Sequence, residues 1–414
     1  MTARGEYQDM TARQQSSAPW PLEHAQQALL AQARPVADTE VCRLQDSDGR
    51  VLAQDLVSPI DVPGFDNSAM DGFALNLGGL ETPGEFTVVQ RIVAGQTGSP
   101  LLPGQAARIM TGAAIPEGCD VVVPQEDTAV VGDKVQVRCT VQLGRHIRRR
   151  GEDIARGQVV LVSGTAIKAK HLGLAASVGV ERLKVFRRLK VGLFWTGDEL
   201  LEPGQALRPG MIYNTNRYAL GSLLKSLGCE ITDYGTVRDD ATATRQALAK
   251  AAADNDVILT SGGVSVGEED HVKAAVTALG ELAVWKVAIK PGKPFAFGRV
   301  GQADFIGLPG NPVSAYVTFM LLAAPFIRCR QGRTDCYPRR LQAMAGFEWL
   351  SKTREFVRVV QDYDEDDRPV LKLSSSRQGA AAMTSIALAD GLADIQPGEP
   401  VRPGQWVAYY PLQD

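Results

Sequence analysis

Between residues 189 and 308 the chain alternates short apolar runs with amphipathic runs, and this rhythm limits the fold more than any other feature. A buried-looking run predicts a strand at 189–195, further strands are predicted at 230–237, 256–260 and 303–308, and helical spacing predicts helices at 215–227, 241–253 and 270–279. Glycines follow two of these helices, at Gly228 and Gly280, where helices often end. Strands that alternate with helices predict a parallel sheet with right-handed crossovers. The chain therefore contains an α/β domain.

The loop after the third predicted strand reads Ser261-Gly262-Gly263-Val264-Ser265-Val266-Gly267. Ligands of open α/β sheets bind beyond the carboxyl ends of the strands, where bare backbone N–H groups attract anions. The glycines let the backbone approach a ligand and the serines can donate hydrogen bonds, which predicts a phosphate site at Ser261, Gly262, Gly263 and Ser265. The alternative is a tight turn whose polar residues only cap the next helix. No Gly-Lys-Ser/Thr follows, so this is not a Walker loop.

Carboxylates follow the predicted strands at the same edge of the sheet. Glu199 follows the first strand, Asp239 follows the second, and Asp270 closes the glycine loop. Magnesium prefers oxygen ligands and usually bridges a few carboxylates to substrate phosphates. These three residues are therefore the candidate metal ligands, and the alternative for each is a solvated helix cap.

A lysine-rich turn and a second helix start complete this edge. Lys286, Lys290 and Lys293 lie in and around a Pro-Gly turn, which holds cationic groups at a fixed spacing and suits a tetrahedral oxyanion. The alternative is a solvated hairpin. Pro309, Pro312 and Ser314 open the next helix, whose free N–H groups face the same edge.

The regions on either side of the α/β domain show short β patterns. Residues 60–162 alternate apolar and polar positions between Gly and Pro turns, which predicts a half-buried antiparallel sheet, and residues beyond 338 predict a small all-β domain. The polar loop 63–72 contains Asp71, and two further polar segments contain Thr111 and Asp153. Compact polar loops often serve a site. The basic run before Asp153 is typical of a solvated surface.

Composition excludes several classes of protein. The 414 residues carry a net charge of -3, so no global field attracts nucleic acid or an acidic membrane. Six scattered cysteines and four histidines favour reduced buried thiols over structural zinc or a disulfide framework. The apolar run 313–327 is too short to span a bilayer and predicts a buried helix. No basic head precedes an apolar run at the N-terminus, which indicates a cytoplasmic enzyme.

Taken in order, these segments resemble the molybdopterin molybdenumtransferase family, which includes the C-terminal domain of gephyrin. The resemblance runs from about Leu22 to the C-terminus, and it rests on the strings PGFDNSAMDG, RIMTGA, GEDI, TGDEL, YNTNR, SGGVSVGEED, KPGKPFAFG and LPGNPVSA. It departs from the family at Gln378-Gly379-Ala380, where relatives commonly carry serine in place of Ala380.

The resemblance implies an elongated homodimer of four-domain subunits, with the active cleft between the α/β domain of one subunit and the β domain of the other. The fold class is then a molybdopterin-binding α/β domain with N-terminal elongated β-rich domains and a C-terminal β-barrel. The expected boundaries are a disordered tail at 1–17, an N-terminal domain at 18–60 and 145–185, an inserted β-rich domain at 61–144, the α/β domain at 186–337 and the barrel at 338–414.

The implied activity is insertion of molybdate into adenylylated molybdopterin, with release of AMP and with Mg²⁺ bound. The family's functional residues fall on Asp71, Thr111, Asp153, Glu199, Asp239 and Asp270, and its molybdate pocket falls on Lys290, Lys293, Ser314 and Arg358. Contacts with other proteins of the pathway are expected, and contacts with nucleic acid or membrane are not. The alternatives are a molybdopterin adenylyltransferase and a gephyrin-like scaffold.

Overall fold

The computed structural model describes residues 19–79, 84–263 and 271–412. The predicted tail at 1–17 lies outside these ranges, as do Ser265 and Asp270. The helices are α1 Leu22–Gln32, α2 Ala169–Ser177, α3 Thr215–Ser226, α4 Ala241–Asp254, α5 His271–Leu279, α6 Pro312–Thr318, α7 Ala324–Arg330 and α8 Met383–Ala387.

The strands fall into three groups along the chain. The N-terminal group is β1 Thr39–Arg43, β2 Leu56–Val57, β3 Asn67–Ser68, β4 Gly72–Leu75, β5 Glu85–Ile92, β6 Gln105–Ile109, β7 Val121–Pro124, β8 Thr128–Val131, β9 Lys134–Val137, β10 Ile147–Arg148, β11 Val159–Leu161 and β12 Arg182–Phe186. The middle group is β13 Lys190–Thr196, β14 Leu200–Leu201, β15 Ile212–Tyr213, β16 Glu230–Val237, β17 Val257–Ser261, β18 Gly280–Lys286, β19 Pro294–Val300 and β20 Ala303–Leu308. The C-terminal group is β21 Leu341–Ala345, β22 Glu355–Tyr363, β23 Pro369–Leu373, β24 Gly391–Ile395 and β25 Trp406–Pro411.

The four strands predicted for the α/β domain form the parallel part of a six-stranded sheet in the order β16-β13-β17-β20-β19-β18. β13 pairs in parallel with β16 and β17, and β17 pairs in parallel with β20. Every residue of β17 and β20 is buried, as expected for strands covered on both faces. The predicted parallel sheet is confirmed, and an antiparallel hairpin of β18 and β19, the alternative considered for the lysine-rich turn, extends it.

The carboxyl ends of the central strands meet at one edge. Trp195 lies opposite Ser261, and Ser261 lies opposite Leu308. The start of α3 lies near this edge, where the Asn214 side chain caps the helix by accepting a hydrogen bond from the Arg217 backbone N–H at 3.1 Å. The loops after β13, β17 and β20 therefore lie side by side.

The long apolar run forms one continuous helical stretch, Pro312–Arg330, with a π-helical turn at Phe319–Ala323 between α6 and α7. At 19 residues it is longer than the sequence indicated, and its length and composition match those of a membrane span. Within the described part of the chain no other helix is long and apolar enough to span a membrane. Of the apolar window in Pro312–Arg330, 78% is buried inside the fold. Because buried core helices pass the same test, this is weak evidence for a span, and the predicted burial is confirmed.

Helix α1 packs against this stretch. Leu22 and Leu29 are buried in the same core cluster as Leu321, and the Gln26 side chain donates to the Leu321 carbonyl at 2.8 Å. Trp20, just before the helix, stacks on Trp285 with ring centroids 5.1 Å apart. The apolar face of α1 is therefore covered by the α/β domain, although β1 to β12 intervene in the sequence.

The β-rich region contains a six-stranded sheet in the order β7-β4-β6-β5-β9-β8. The predicted antiparallel pairing holds for every neighbouring pair of this sheet except β5 and β6, which pair in parallel. The chain between β5 and β6 is long enough to return to the end of the sheet at which β5 begins. Alternation of side chains along a strand does not distinguish parallel from antiparallel pairing. Outside this sheet, β1 pairs with β12 and brings the two flanking segments together.

The C-terminal strands close into a barrel in the order β21-β23-β22-β24-β25, which confirms the predicted β-barrel. Arg354 attaches the barrel to the rest of the chain by pairing with Asp394 at 2.7 Å and with Glu23 of α1 at 2.6 Å. An isolated bridge joins Lys290 to Glu355. The start of β22 therefore lies beside the lysine-rich turn.

Two cysteines depart from the prediction of reduced thiols. Cys329 and Cys336 form a disulfide, with Cα atoms 5.4 Å apart. The turn at Gly332 reverses the chain after α7 and returns Cys336 to the helix end, a proximity that cysteine spacing alone does not reveal. Cys42, Cys119, Cys139 and Cys229 are free, but they are half-buried and not buried as predicted.

Candidate active site

The Ser261 loop lies over the edge where β13, β17 and β20 end. Ser261 is 4% exposed, and its hydroxyl donates to the Pro309 carbonyl at 2.8 Å while accepting from the Asn216 side chain at 2.7 Å. Gly262 and Gly263 have φ of 95° and 62°, which non-glycine residues rarely adopt. The single hydroxyl hydrogen of Ser261 is thus engaged within the protein, and Ser261 itself orders the turn.

A first cavity of about 630 Å³ opens beside this loop. Its polar wall combines Glu199, Asn214, Asn216, Ser261, Gly262 and Asn311, and its apolar wall combines Leu200, Ile212, Pro312, Ala381 and Met383. The Asn214 amide nitrogen is enclosed and has no hydrogen-bond acceptor among the residues described. A cavity of this size with a few convergent polar groups suits a small organic ligand.

A second cavity of about 560 Å³ is lined in part by Ser314 of α6. It brings together Lys290, Lys293 and Ser314, which the sequence placed in one oxyanion pocket, and it adds Glu355 and Gln378 from the barrel. Gly292, with φ of 106°, shapes the turn between the lysines. Ala380 stands where relatives commonly carry serine, and its backbone carbonyl accepts a hydrogen bond from the Val313 backbone N–H of α6 at 3.0 Å.

The two lysines of this cavity differ in their charge environment. The Lys290 ammonium lies 2.9 Å from a Glu355 carboxylate oxygen, and the Trp349 indole N–H donates to the other oxygen at 3.1 Å. Glu355 is 2% exposed, whereas the Lys290 side chain is 59% exposed. An anion in this cavity therefore meets one lysine that is already paired with a carboxylate.

Arg358 is fully buried behind the second cavity. Its side chain donates to the Ser385 hydroxyl at 3.2 Å and to the Phe356 carbonyl at 2.9 Å, and one terminal nitrogen has no acceptor among the described residues. Burial lowers the pKa of this guanidinium to about 10, which leaves it protonated at neutral pH. Gln378, which lines the second cavity, bonds to the backbone N–H and carbonyl of Arg358, whereas Arg358 itself is not among the lining residues.

Several predicted site residues line neither cavity. The Asp71 carboxylate accepts from the Thr111 backbone N–H at 2.7 Å and from its hydroxyl at 2.8 Å, and these bonds hold the pKa of Asp71 below its usual value. Asp153 is exposed on another loop of the β-rich region, and Lys286 is exposed on β18. The single chain therefore brings Asp71 and Thr111 together but leaves them apart from the two cavities.

The candidate metal ligands are only partly assembled in the described part of the chain. Glu199 lines the first cavity, and the Asp239 backbone N–H donates to the neighbouring Asp198 carboxylate at 3.4 Å. Asp270 lies outside the described ranges. Among the residues that are described, no three His, Cys, Asp or Glu side chains form a group that could hold a metal ion.

Three family profiles match the chain. They are the MoeA N-terminal region (domain I and II) at residues 20–179, the probable molybdopterin binding domain at 192–329 and the MoeA C-terminal region (domain IV) at 340–412. These matches agree with the α/β domain and the barrel described above, and they confirm the fold class.

Proteins similar to this chain carry the same family name. The molybdopterin molybdenumtransferase of Haemophilus influenzae is 44% identical over 314 residues, which is 75% of this chain and 78% of that protein. Molybdopterin molybdenumtransferase 2 of Mycobacterium tuberculosis is 37% identical over 366 residues, 85% of this chain and 89% of that protein. The crystal structure of the molybdopterin biosynthesis MoeA protein from Pyrococcus horikoshii has a TM-score of 0.81 and 27% identity, covering 95% of this chain and 100% of that one. The chain therefore belongs to the molybdopterin molybdenumtransferase family, whose members are transferases of molybdenum cofactor biosynthesis.

Proposed function

We propose that the chain inserts molybdate into adenylylated molybdopterin, releasing AMP and giving the molybdenum cofactor. One observation supports this most directly: two cavities adjoin at one sheet edge and share the start of α6. Pro312 lines the first cavity and Ser314 lines the second. A small organic ligand and a separate oxyanion can therefore be held side by side.

In this proposal the second cavity holds molybdate. Lys290, Lys293 and the Ser314 hydroxyl supply donors for a tetrahedral oxyanion, and Ser314 lies near the amino end of α6, where the helix dipole favours negative charge. The first cavity holds the pterin and its phosphates. Transfer of the metal to the dithiolene sulfurs then depends mainly on proximity, since residues at the start of α6 line both cavities.

We further propose that Mg²⁺ binds at Glu199, Asp239 and Asp270. The fit is supported by chemistry, because all three are hard oxygen donors of the kind that Mg²⁺ prefers and Glu199 already lines the first cavity. When bound, the ion would offset the negative charge of the pyrophosphate. Within the chain, the backbone of the Ser261 loop orients that pyrophosphate.

Asp71, Thr111 and Asp153 enter the proposal through a homodimer. Their loops are exposed and line neither cavity of their own chain, which suits residues that complete the site of a partner subunit. A cytoplasmic location and contacts with other pathway proteins stay predictions.

The test is to incubate purified chain with adenylylated molybdopterin, molybdate and Mg²⁺. We expect AMP release together with cofactor that activates a molybdenum-dependent apoenzyme. A parallel incubation with ATP and molybdopterin separates the adenylyltransferase alternative, since that activity consumes ATP. Consumption of ATP without metal insertion would refute the proposal. The Asp270→Asn variant should lose Mg²⁺-dependent AMP release.

A further inference from the structure

The segment YNTNR, residues 213–217, contains a buried asparagine, Asn216, that has no part in the proposed reaction described above. Asn216 is the second residue of α3 and is 9% exposed. It lines the first cavity, yet its amide nitrogen faces the protein. A buried amide in this position needs partners for both of its hydrogens.

Both hydrogens are donated to loops at the sheet edge. The Asn216 amide donates to the Ser261 hydroxyl oxygen at 2.7 Å and to the Gly310 carbonyl at 2.8 Å. Ser261 passes its own hydrogen to the Pro309 carbonyl at 2.8 Å. One side chain thus joins the loop after β17 to the loop after β20.

The two loops are in close contact at this point. The Gly262 backbone N–H donates to the Leu308 carbonyl at 3.1 Å, and a β-carbon added to Gly310 would lie 3.7 Å from the Gly262 Cα. Because α6 begins at Pro312, a shift of the Gly310 carbonyl would also move the start of α6.

Both loops line the first cavity, through Ser261 and Gly262 on one and Gly310 and Asn311 on the other. The second loop leads directly into α6, whose Ser314 lines the second cavity. The amide of Asn216 therefore sets the position of the oxyanion cavity relative to the loop that faces the pterin and its phosphates.

We infer that Asn216 is a positioning residue that aligns the two substrates for metal transfer. This inference rests on the proposed function and adds a residue to it. Asparagine suits the task because its amide supplies two donors on one nitrogen, whereas the isosteric aspartate supplies none and would place a carboxylate against the Gly310 carbonyl. Small misplacements of bound reactants cost far more in rate than in affinity.

The test compares Asn216→Asp with a matched variant, Asn255→Asp. Asn255 is also buried in the α/β domain, and its amide also makes two bonds, to the Ala251 carbonyl at 2.9 Å and to the Tyr234 hydroxyl at 3.0 Å. It precedes β17, at the opposite end of that strand from Ser261. The two variants therefore lose similar hydrogen bonds at opposite edges of the sheet.

We expect Asn216→Asp to lower kcat for AMP release by about 30- to 100-fold, while the Kd of molybdate, which is assigned to the other cavity, changes by less than about threefold. Asn255→Asp should keep kcat within about twofold of the wild type, and melting temperatures should fall by similar amounts in both variants. If Asn216→Asp fails to fold, Asn216→Ser, which keeps a single donor, should show the same split between kcat and Kd.

Three results would overturn the inference: an Asn216 variant with kcat near that of the wild type, an equal loss of kcat in both variants, or a large loss of affinity at unchanged kcat. An inactive wild-type chain would instead refute the proposed function, and with it any role for Asn216 in that reaction. The wild-type assay and the ratio between variants therefore separate the two failures.

Discussion

The ion pair between Glu355 and Lys290 leads to a prediction about oxyanion affinity. Glu355 is 2% exposed and holds the Lys290 ammonium at 2.9 Å, so its negative charge faces the second cavity together with the lysine. Glu355→Gln keeps the shape of the side chain and still offers an oxygen to the Trp349 indole N–H. The variant removes one negative charge from the cavity wall, and we expect molybdate to bind more tightly.

The magnitude follows from Coulomb's law. For a divalent oxyanion on the order of 6 Å from the carboxylate, with an effective dielectric constant of about 50, the repulsion is about 2 kcal/mol. Its removal should tighten molybdate binding by about 30-fold at low ionic strength, and by less as salt is added. Isothermal titration of the purified chain with molybdate measures this change directly.

A control for net charge lies on the same strand. Asp362 pairs with Lys372 at 2.7 Å on the exposed part of β22, so Asp362→Asn changes the net charge by the same amount away from the cavity. This control should leave molybdate affinity within about twofold of the wild type. Unchanged or weaker binding in Glu355→Gln would show that the oxyanion does not bind beside Lys290.

Three further predictions concern the contact of Asp71 with Thr111, the contacts of Asp66 and the disulfide. Thr111→Val removes the hydroxyl that donates to Asp71 and should raise the pKa of the Asp71 carboxyl towards its usual value, which NMR titration measures. Because the fold lowers this pKa, the hydrogen bond from Thr111 weakens as the pH falls through the pKa of Asp71. Asp66→Ala breaks the contacts with the Arg149 side chain at 2.6 Å and the Arg150 N–H at 2.8 Å, and should lower the free energy of unfolding by about 1 kcal/mol in denaturant titrations. Cys336→Ser opens a short loop and should cost about 2 kcal/mol under oxidising conditions, with no difference from the wild type in reductant.

Features that depend on neighbouring residues in the sequence were predictable. The apolar runs of β13, β17 and β20 identified three of the parallel strands, because a strand covered on both faces must be apolar along its length. The order of strands and helices then placed the loops at one edge, since a right-handed crossover returns each strand in the same direction.

Features that depend on distant partners were not predictable from such patterns. The parallel pairing of β5 with β6 is a choice between strands whose side chains alternate alike in either direction. Glu355 and Gln378 reach the second cavity from the barrel, so no local motif connects them to the lysine-rich turn. The role of Asn216 became visible only when its two acceptors were known.

The sequence by itself determined the α/β domain, the barrel, the family and the polar segments that could form a site, because each depends on local periodicity or on strings of adjacent residues. The tertiary structure decided which of those segments meet. It separated a cavity beside the Ser261 loop from one beside Lys290, paired Lys290 with a buried carboxylate, and joined Cys329 to Cys336. The physical reason is that side-chain hydrogen bonds and ion pairs act over a few ångströms, and sequence separation does not measure that distance.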